Sequence, residues 1–166
     1  MAGRSFPPLD VIPLWSLIND ELIELVDLIG EERMNWSPEP KRWNFRGLFL
    51  HIMAGRHGMM AAVIKDGLDT PDTLREVQTQ QGIKEQVRLS WQRMVAFLTD
   101  AKGLAQTYDA MILDQTGPLS GHALAFGQLE HDIHHRGEMY GYLDLLGVEH
   151  EEPDTPARVL RVRRAS

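Results

Sequence analysis

The chain has 166 residues and a mass of 18.9 kDa, the size of one domain, and its 43% hydrophobic residues suffice for a full core. Its 24 acidic side chains outnumber 17 basic ones, a net charge of −7 that repels a phosphate backbone and argues against a nucleic-acid binder. No cysteine occurs, which excludes a disulfide framework, an iron–sulfur cluster, a thiolate zinc site and a cysteine nucleophile, so nitrogen and oxygen must hold any metal.

The first residues carry no apolar leader segment, and no apolar run is long enough to span a bilayer, so a cytoplasmic protein with no membrane association is expected. Hydrophobic period and Gly/Pro punctuation predict four helices. The first runs from about Pro13 to Ile29, with Asp10 as its cap, Gly30 as its stop, and Leu14, Leu17, Ile18, Leu22, Leu25, Val26 and Ile29 as a stripe of 3.6-residue period. A Pro-containing loop from Trp36 to Pro40 leads to the second helix, from an N-cap at Asn44 to Asp66, with Gly67 as its end. The linker from Leu68 to Gln81 contains Pro71 and is polar, which argues against a packed element. The third helix, Ile83 to about Lys102, places Val87, Trp91, Met94, Val95 and Leu98 on one face, and the stretch from there to Pro118 has no clear period. The fourth helix runs from about Ser120 to Leu146 and stops at Gly147. The alternating run Arg158 to Arg164 lies in the tail with no partner strand. An all-α, up-and-down four-helix bundle is the fold class that fits.

Seven histidines are present: His51, His57, His122, His131, His134, His135 and His150. His131 and His135 stand one turn apart and about 40° from each other on a helix, so both can point at one ion. Spacing alone is weak evidence, but the face they share adds to it. Leu124, Gln128, Glu138, Met139, Tyr142 and Leu146 fall within about 80° of His131, a largely apolar stripe that should face the core. A second apolar strip, Phe126, Leu129, Ile133, Tyr140 and Leu143, lies opposite, so this helix is either central in the fold or covered by a second subunit.

His51 shares its face of the second helix with Gly47, Leu48, Ala54, Gly55, Gly58, Met59 and Ala62. That face is small and uncharged, which predicts a close helix contact and a buried His51 whose ring nitrogens need partners. A metal shared with His131 and His135 would be one; a backbone carbonyl or a tyrosine hydroxyl would serve equally. His134 is a geometric alternative to His135, but its neighbours Gly127, Gly137 and Gly141 suggest a close helix contact with little room for an ion. His57, His122 and His150 read as solvated.

The run Trp43 to His51, the segment Leu129 to Glu138, and Leu143 to Gly147 together resemble the DinB/YfiT-like family. The shared features are a tryptophan just before the second helix, one histidine within it, and a His-x3-His-Arg-Gly signature in the last helix. The resemblance covers the chain from the first helix to Gly147. It implies a four-helix-bundle domain over residues 1–152, a basic and flexible C-terminal tail over 153–166, and often a homodimer. It also implies a divalent ion, zinc or nickel, held by His51, His131 and His135 with an open position. Activities implied by the resemblance are transfer of a low-molecular-weight thiol of the bacillithiol, mycothiol or glutathione type to an electrophile, or metal-dependent hydrolysis; a non-catalytic metal-binding dimer is a third possibility. Glu138 departs from the family, which commonly has Gln there. Its carboxylate can accept a hydrogen bond from a ligand imidazole, reach the metal or act as a base, although pairing with a rim arginine is the simpler expectation.

Overall fold

The computed structural model describes residues 12–64, 74, 76–112 and 115–151. In chain order these form α1 (Ile12–Ile29), a single 3-10 turn (Glu31–Arg33), α2 (Phe45–Ile64), α3 (Gln80–Leu98), α4 (Ala101–Ala105), β1 (Thr107–Ile112), β2 (Gln115–Ser120) and α5 (Gly121–Leu146). The caps at Asp10 and Gly67, Pro71, and the basic tail with its alternating run lie outside the described residues. Among the described residues no helix is long and apolar enough to cross a membrane.

The four long helices make an all-α bundle. α1 and α2 each pack chiefly against α3 and α5, which puts α3 and α5 between them. Ile18, Leu22, Val26 and Ile29 of α1 meet Phe45, Phe49 and Ile52 of α2, Ile83, Val87 and Met94 of α3, and Met139 and Leu143 of α5 in one buried cluster. Beside the expected Ile18, the first turns of α1 bury Trp15 and Asn19 rather than Leu14, which is partly buried, and Leu17, which is exposed. Both buried side chains carry polar groups that find partners in the core, and those bonds set the rotation of the helix.

Local chemistry explains most helix ends. Asn44 caps α2 by accepting from the Gly47 N–H at 2.8 Å, as expected. Gly147 ends α5 in the left-handed region, φ 67°, with its N–H bonded to the Asp144 carbonyl. α3 begins three residues before Ile83, because Thr79 accepts from the Gly82 N–H at 3.1 Å. It ends before Lys102: Thr99 turns its hydroxyl back to the Val95 carbonyl, and Asp100 caps the separate short α4 through the Lys102 N–H.

One open stretch takes a definite form and one expectation is corrected. The stretch before the last helix, which has no clear period, is an antiparallel hairpin, with Thr107 opposite Ser120 and Ile112 opposite Gln115. Among the described residues it joins no larger sheet, and its second strand packs against α5, so the fold remains all-α. The linker expected to be unpacked docks Leu74 into the core, 3% exposed.

Candidate metal centre

The loop between α1 and α2 fixes the N-terminus of α2 against α5. Trp36 accepts the Phe45 N–H through its carbonyl, and the Trp36, Phe45 and Tyr142 rings pack with centroids 5.5 to 6.0 Å apart. This aromatic cluster ties the start of α2 to the C-terminal half of α5. Two turns into α2, His51 therefore meets His131 and His135, which stand one turn apart on α5. The three imidazoles form a near-equilateral triangle, with ring centroids 4.7, 4.8 and 4.7 Å apart. The structure thus brings together the three histidines singled out in the sequence, although His51 is partly rather than fully buried.

The donor set fits a divalent ion. His51 and His131 face each other through their Nε2 atoms at 2.9 Å, and one ligand nitrogen from each of the three histidines lies within 4.8 Å of the others. Imidazoles on a tetrahedral zinc place their nitrogens about 3.3–3.4 Å apart, so the His51 and His131 pair already stands close to ligand spacing. His134, His135 and Glu138 form a second set of donors within 4.8 Å of one another. There, however, His134 is exposed and the carboxylate is already shared, so the three-imidazole set is the better chelate.

Glu138 is bound to the site itself and not to a rim arginine. One carboxylate oxygen accepts from His135 Nδ1 at 3.0 Å, and the other accepts from the Tyr142 hydroxyl at 2.8 Å. The bond to Nδ1 leaves the Nε2 lone pair of His135 free for the triangle, the usual arrangement behind a ligand histidine. Burial pushes the Glu138 carboxyl up, but the Tyr142 and His135 hydrogen bonds outweigh it and leave it below its ordinary value. Tyr142, through burial and its bond to Glu138, is pushed up to about 12 and stays a donor. His51 is lowered to about 4, first by burial and then by the facing His131 and His135 rings. His135 is lowered too, chiefly by burial, with Glu138 acting in the opposite sense. Trp43, 46% exposed, sets its ring against His51, with centroids 4.0 Å apart, and forms one wall of the cluster.

The remaining histidines divide. His57 is not solvated: it is 1% exposed, and Arg93 donates to its Nδ1 at 2.7 Å. His150 is also largely covered, bonded to Asp144 at 3.1 Å and packed on Tyr140. His122 and His134 are exposed. Gly127, Gly137 and Gly141 around His134 have nothing within 4 Å of where a Cβ would stand, so they make no close contact with the described residues, contrary to the close helix contact expected there.

Beneath the triangle lies a network that the sequence did not reveal. Asp132 is fully buried and accepts from Trp15 Nε1 at 2.8 Å and Arg56 Nε at 2.9 Å through one oxygen, and from Gln128 Nε2 at 2.8 Å through the other. Arg56, equally buried, also donates to Asn19 at 3.0 Å and Ser90 at 3.3 Å. α1, α2, α3 and α5 all contribute to it. Burial pushes the Asp132 carboxyl up, yet the Arg56 guanidinium, with smaller help from the Trp15 and Gln128 hydrogen bonds, holds it below the ordinary carboxylate range. The signal in the sequence was charge on buried helix stripes: Arg56 continues Phe45, Phe49 and Ile52 on α2, and Asp132 and Arg136 interrupt the stripe of Ala125, Leu129, Met139 and Leu143 on α5.

A four-helix bundle with three imidazoles converging from its second and last long helices defines a class of histidine-cluster bundle proteins. Residues 15–139 match the DinB superfamily, and the chain belongs to it. It is 24% identical over 125 residues to the uncharacterized protein YjoA of Bacillus subtilis, covering 75% of this chain and 80% of YjoA. The YjoA crystal structure, a DinB-like protein, superposes with a TM-score of 0.63 at 22% identity, over 87% of this chain and 95% of that one. A DinB-like protein from Bacillus cereus superposes with a TM-score of 0.64 at 16% identity, over 85% and 95% of the two chains. At these identities the likeness establishes the fold.

Proposed function

We propose that His51, His131 and His135 bind a divalent ion, zinc or nickel, and that the protein activates a low-molecular-weight thiol for attack on an electrophile. The observation that carries this is the convergence of three imidazoles from two helices at centroid separations of 4.7 to 4.8 Å. Held by His51, His131 and His135, such an ion would supply an open coordination position that favours the thiolate form of a bound thiol near neutral pH. The residues around it hold and shield. Glu138, fixed by Tyr142, orients His135, and the Trp43 indole covers one side of His51. The chain has no cysteine, so the sulfur comes from a cosubstrate of the bacillithiol, mycothiol or glutathione type. A homodimer formed through the exposed face of α5 completes the proposal.

The test begins with metal content. Replacing His51, His131 or His135 singly by Ala should abolish stoichiometric zinc or nickel binding, while His122→Ala and His150→Ala retain it; metal retained in His51→Ala refutes the three-histidine site. The loaded protein is then incubated with a thiol and an electrophile. Adduct formation faster than with chelator-treated protein, together with a sulfur-to-metal band after cobalt substitution, supports thiol transfer. Ester or amide turnover without thiol, rising with pH near neutrality, replaces it with hydrolysis. Neither activity, with a large loss of thermal stability on chelation, makes the ion structural.

A further inference from the structure

Gln128 stands between the buried Asp132 and His131. Its Nε2 donates to Asp132 Oδ1 at 2.8 Å and lies 3.3 Å from His131 Nδ1. The orientation of this amide is dictated by its partner, because the reverse would press a carbonyl oxygen against a carboxylate oxygen. Asp132 is itself fixed by Trp15 and Arg56. An amide nitrogen has two protons and no acceptor capacity, so its second proton is directed at His131 Nδ1, which therefore accepts. A neutral imidazole carries one N–H, and in His131 it must then reside on Nε2, facing His51 Nε2 at 2.9 Å. Room for this arrangement comes from α2: a Cβ at Gly55 would stand 3.2 Å from both Gln128 Oε1 and His131 Cε1.

We propose that Gln128 is a positioning residue that keeps His131 in the tautomer protonated at Nε2, and that ion uptake at this ring requires the amide to yield Nδ1 to the Asp132 carboxylate. The second half rests on the metal-binding proposal above; the first does not. Asp132 Oδ1 lies 3.8 Å from His131 Nδ1, beyond hydrogen-bond reach with the amide in place and within reach of a small ring rotation without it. The proton balance is neutral: Nε2 releases one proton to water and Nδ1 takes one up. Asp132 serves both states, through Gln128 in one and directly in the other.

The decisive measurement is the pattern of long-range nitrogen–proton couplings of the His131 ring in the ion-free protein. The parent should show the Nε2–H tautomer, and Gln128→Met, of similar volume but with no amide, should show Nδ1–H. Zinc titrated against a chelator should bind Gln128→Met on the order of tenfold more tightly, the scale on which residues behind a ligand act. A parent ring protonated at Nδ1, or a variant with an unchanged tautomer, overturns the positioning role. Equal or weaker zinc binding by the variant overturns the exchange with Asp132. A packing role alone would move the unfolding midpoint and leave the tautomer untouched. If neither protein takes up zinc, the metal-binding proposal fails, while the tautomer comparison in parent and variant still decides the role of Gln128.

Discussion

At the scale of single residues, the ion-free triangle works against protonation. His51 falls from an ordinary value near 6.5 to about 4, because burial and two facing rings disfavour its charge. In the unfolded chain the same ring regains its ordinary value, so between these two limits the unfolded state binds more protons than the folded one. Stability of the ion-free protein should therefore fall as pH drops from about 6.5 towards 4, with His135 contributing in the same direction. Urea unfolding at pH 7.5, 6 and 4.5 measures the slope, and His51→Ala should flatten it; a slope unchanged by that substitution would refute the assignment. The His131 and His135 pair was legible in the sequence because one-turn spacing and a shared apolar face are properties of a helix read alone; joining His51 to it, from another helix, rested on the family resemblance. His57 and His150 were misread for the complementary reason: their cover comes from Arg93 and from Tyr140 and Asp144, which no local periodicity associates with them. The role of Glu138 was open because a carboxylate three residues past a histidine is compatible with several partners, and only the position of Tyr142 one further turn along settles which way it faces.

At the scale of elements, the approach of α2 to α5 decides how tightly the site is held. The small face of α2 was readable as a contact face; Gly55 does lie against Gln128 and His131, whereas Gly58 is exposed with nothing within 4 Å of its Cβ position. Gly55→Ala tests its importance with two opposing terms. The alanine gains about 1 kcal/mol of helix propensity, while crowding neighbours at 3.2 Å costs about 1–3 kcal/mol. Stability should therefore change little or fall modestly. Displacing the His131 ring should nonetheless weaken metal binding clearly, and unaltered affinity in a folded Gly55→Ala protein would show that the contact does not hold the ligand. The hairpin escaped the sequence because Gly117 and Pro118 interrupt its second strand, and its pairing is with one strand only, leaving no alternation deep enough to register. The division of α3 from α4 was equally obscure. It depends on Thr99 and Asp100 bonding to backbone, a local competition with the helix that hydrophobic period does not report.

At the scale of the whole molecule, the bundle is organised around a buried ion pair that its four long helices share. Arg56→Met would leave the Asp132 charge in the core without its counter-charge and should cost about 3–5 kcal/mol in unfolding free energy at pH 7. Adding Asp132→Leu should recover only part of that loss, since it removes the unpaired charge but leaves the Trp15 and Gln128 donors without an acceptor; a double variant no more stable than Arg56→Met would refute the charge-pairing account. The outer surface carries the complementary question. Phe126 and Leu145 of α5 are 70% and 69% exposed. They bound a face about 100° wide and roughly 28 Å long that also presents Glu130, His134 and the glycines at 127, 137 and 141. Small residues along the middle let a second helix approach closely, and apolar side chains at the two ends suit a self-complementary, two-fold contact, since each end of one copy meets the opposite end of the other. The parent should therefore scatter light as a dimer at micromolar concentration. Gly137→Glu, which sets a charge in the centre of that face with nothing in its own subunit within 4 Å of the new Cβ, should yield a monomer of unchanged helicity. A parent that remains monomeric throughout this range, or a Gly137→Glu protein that remains dimeric, removes α5 as the interface.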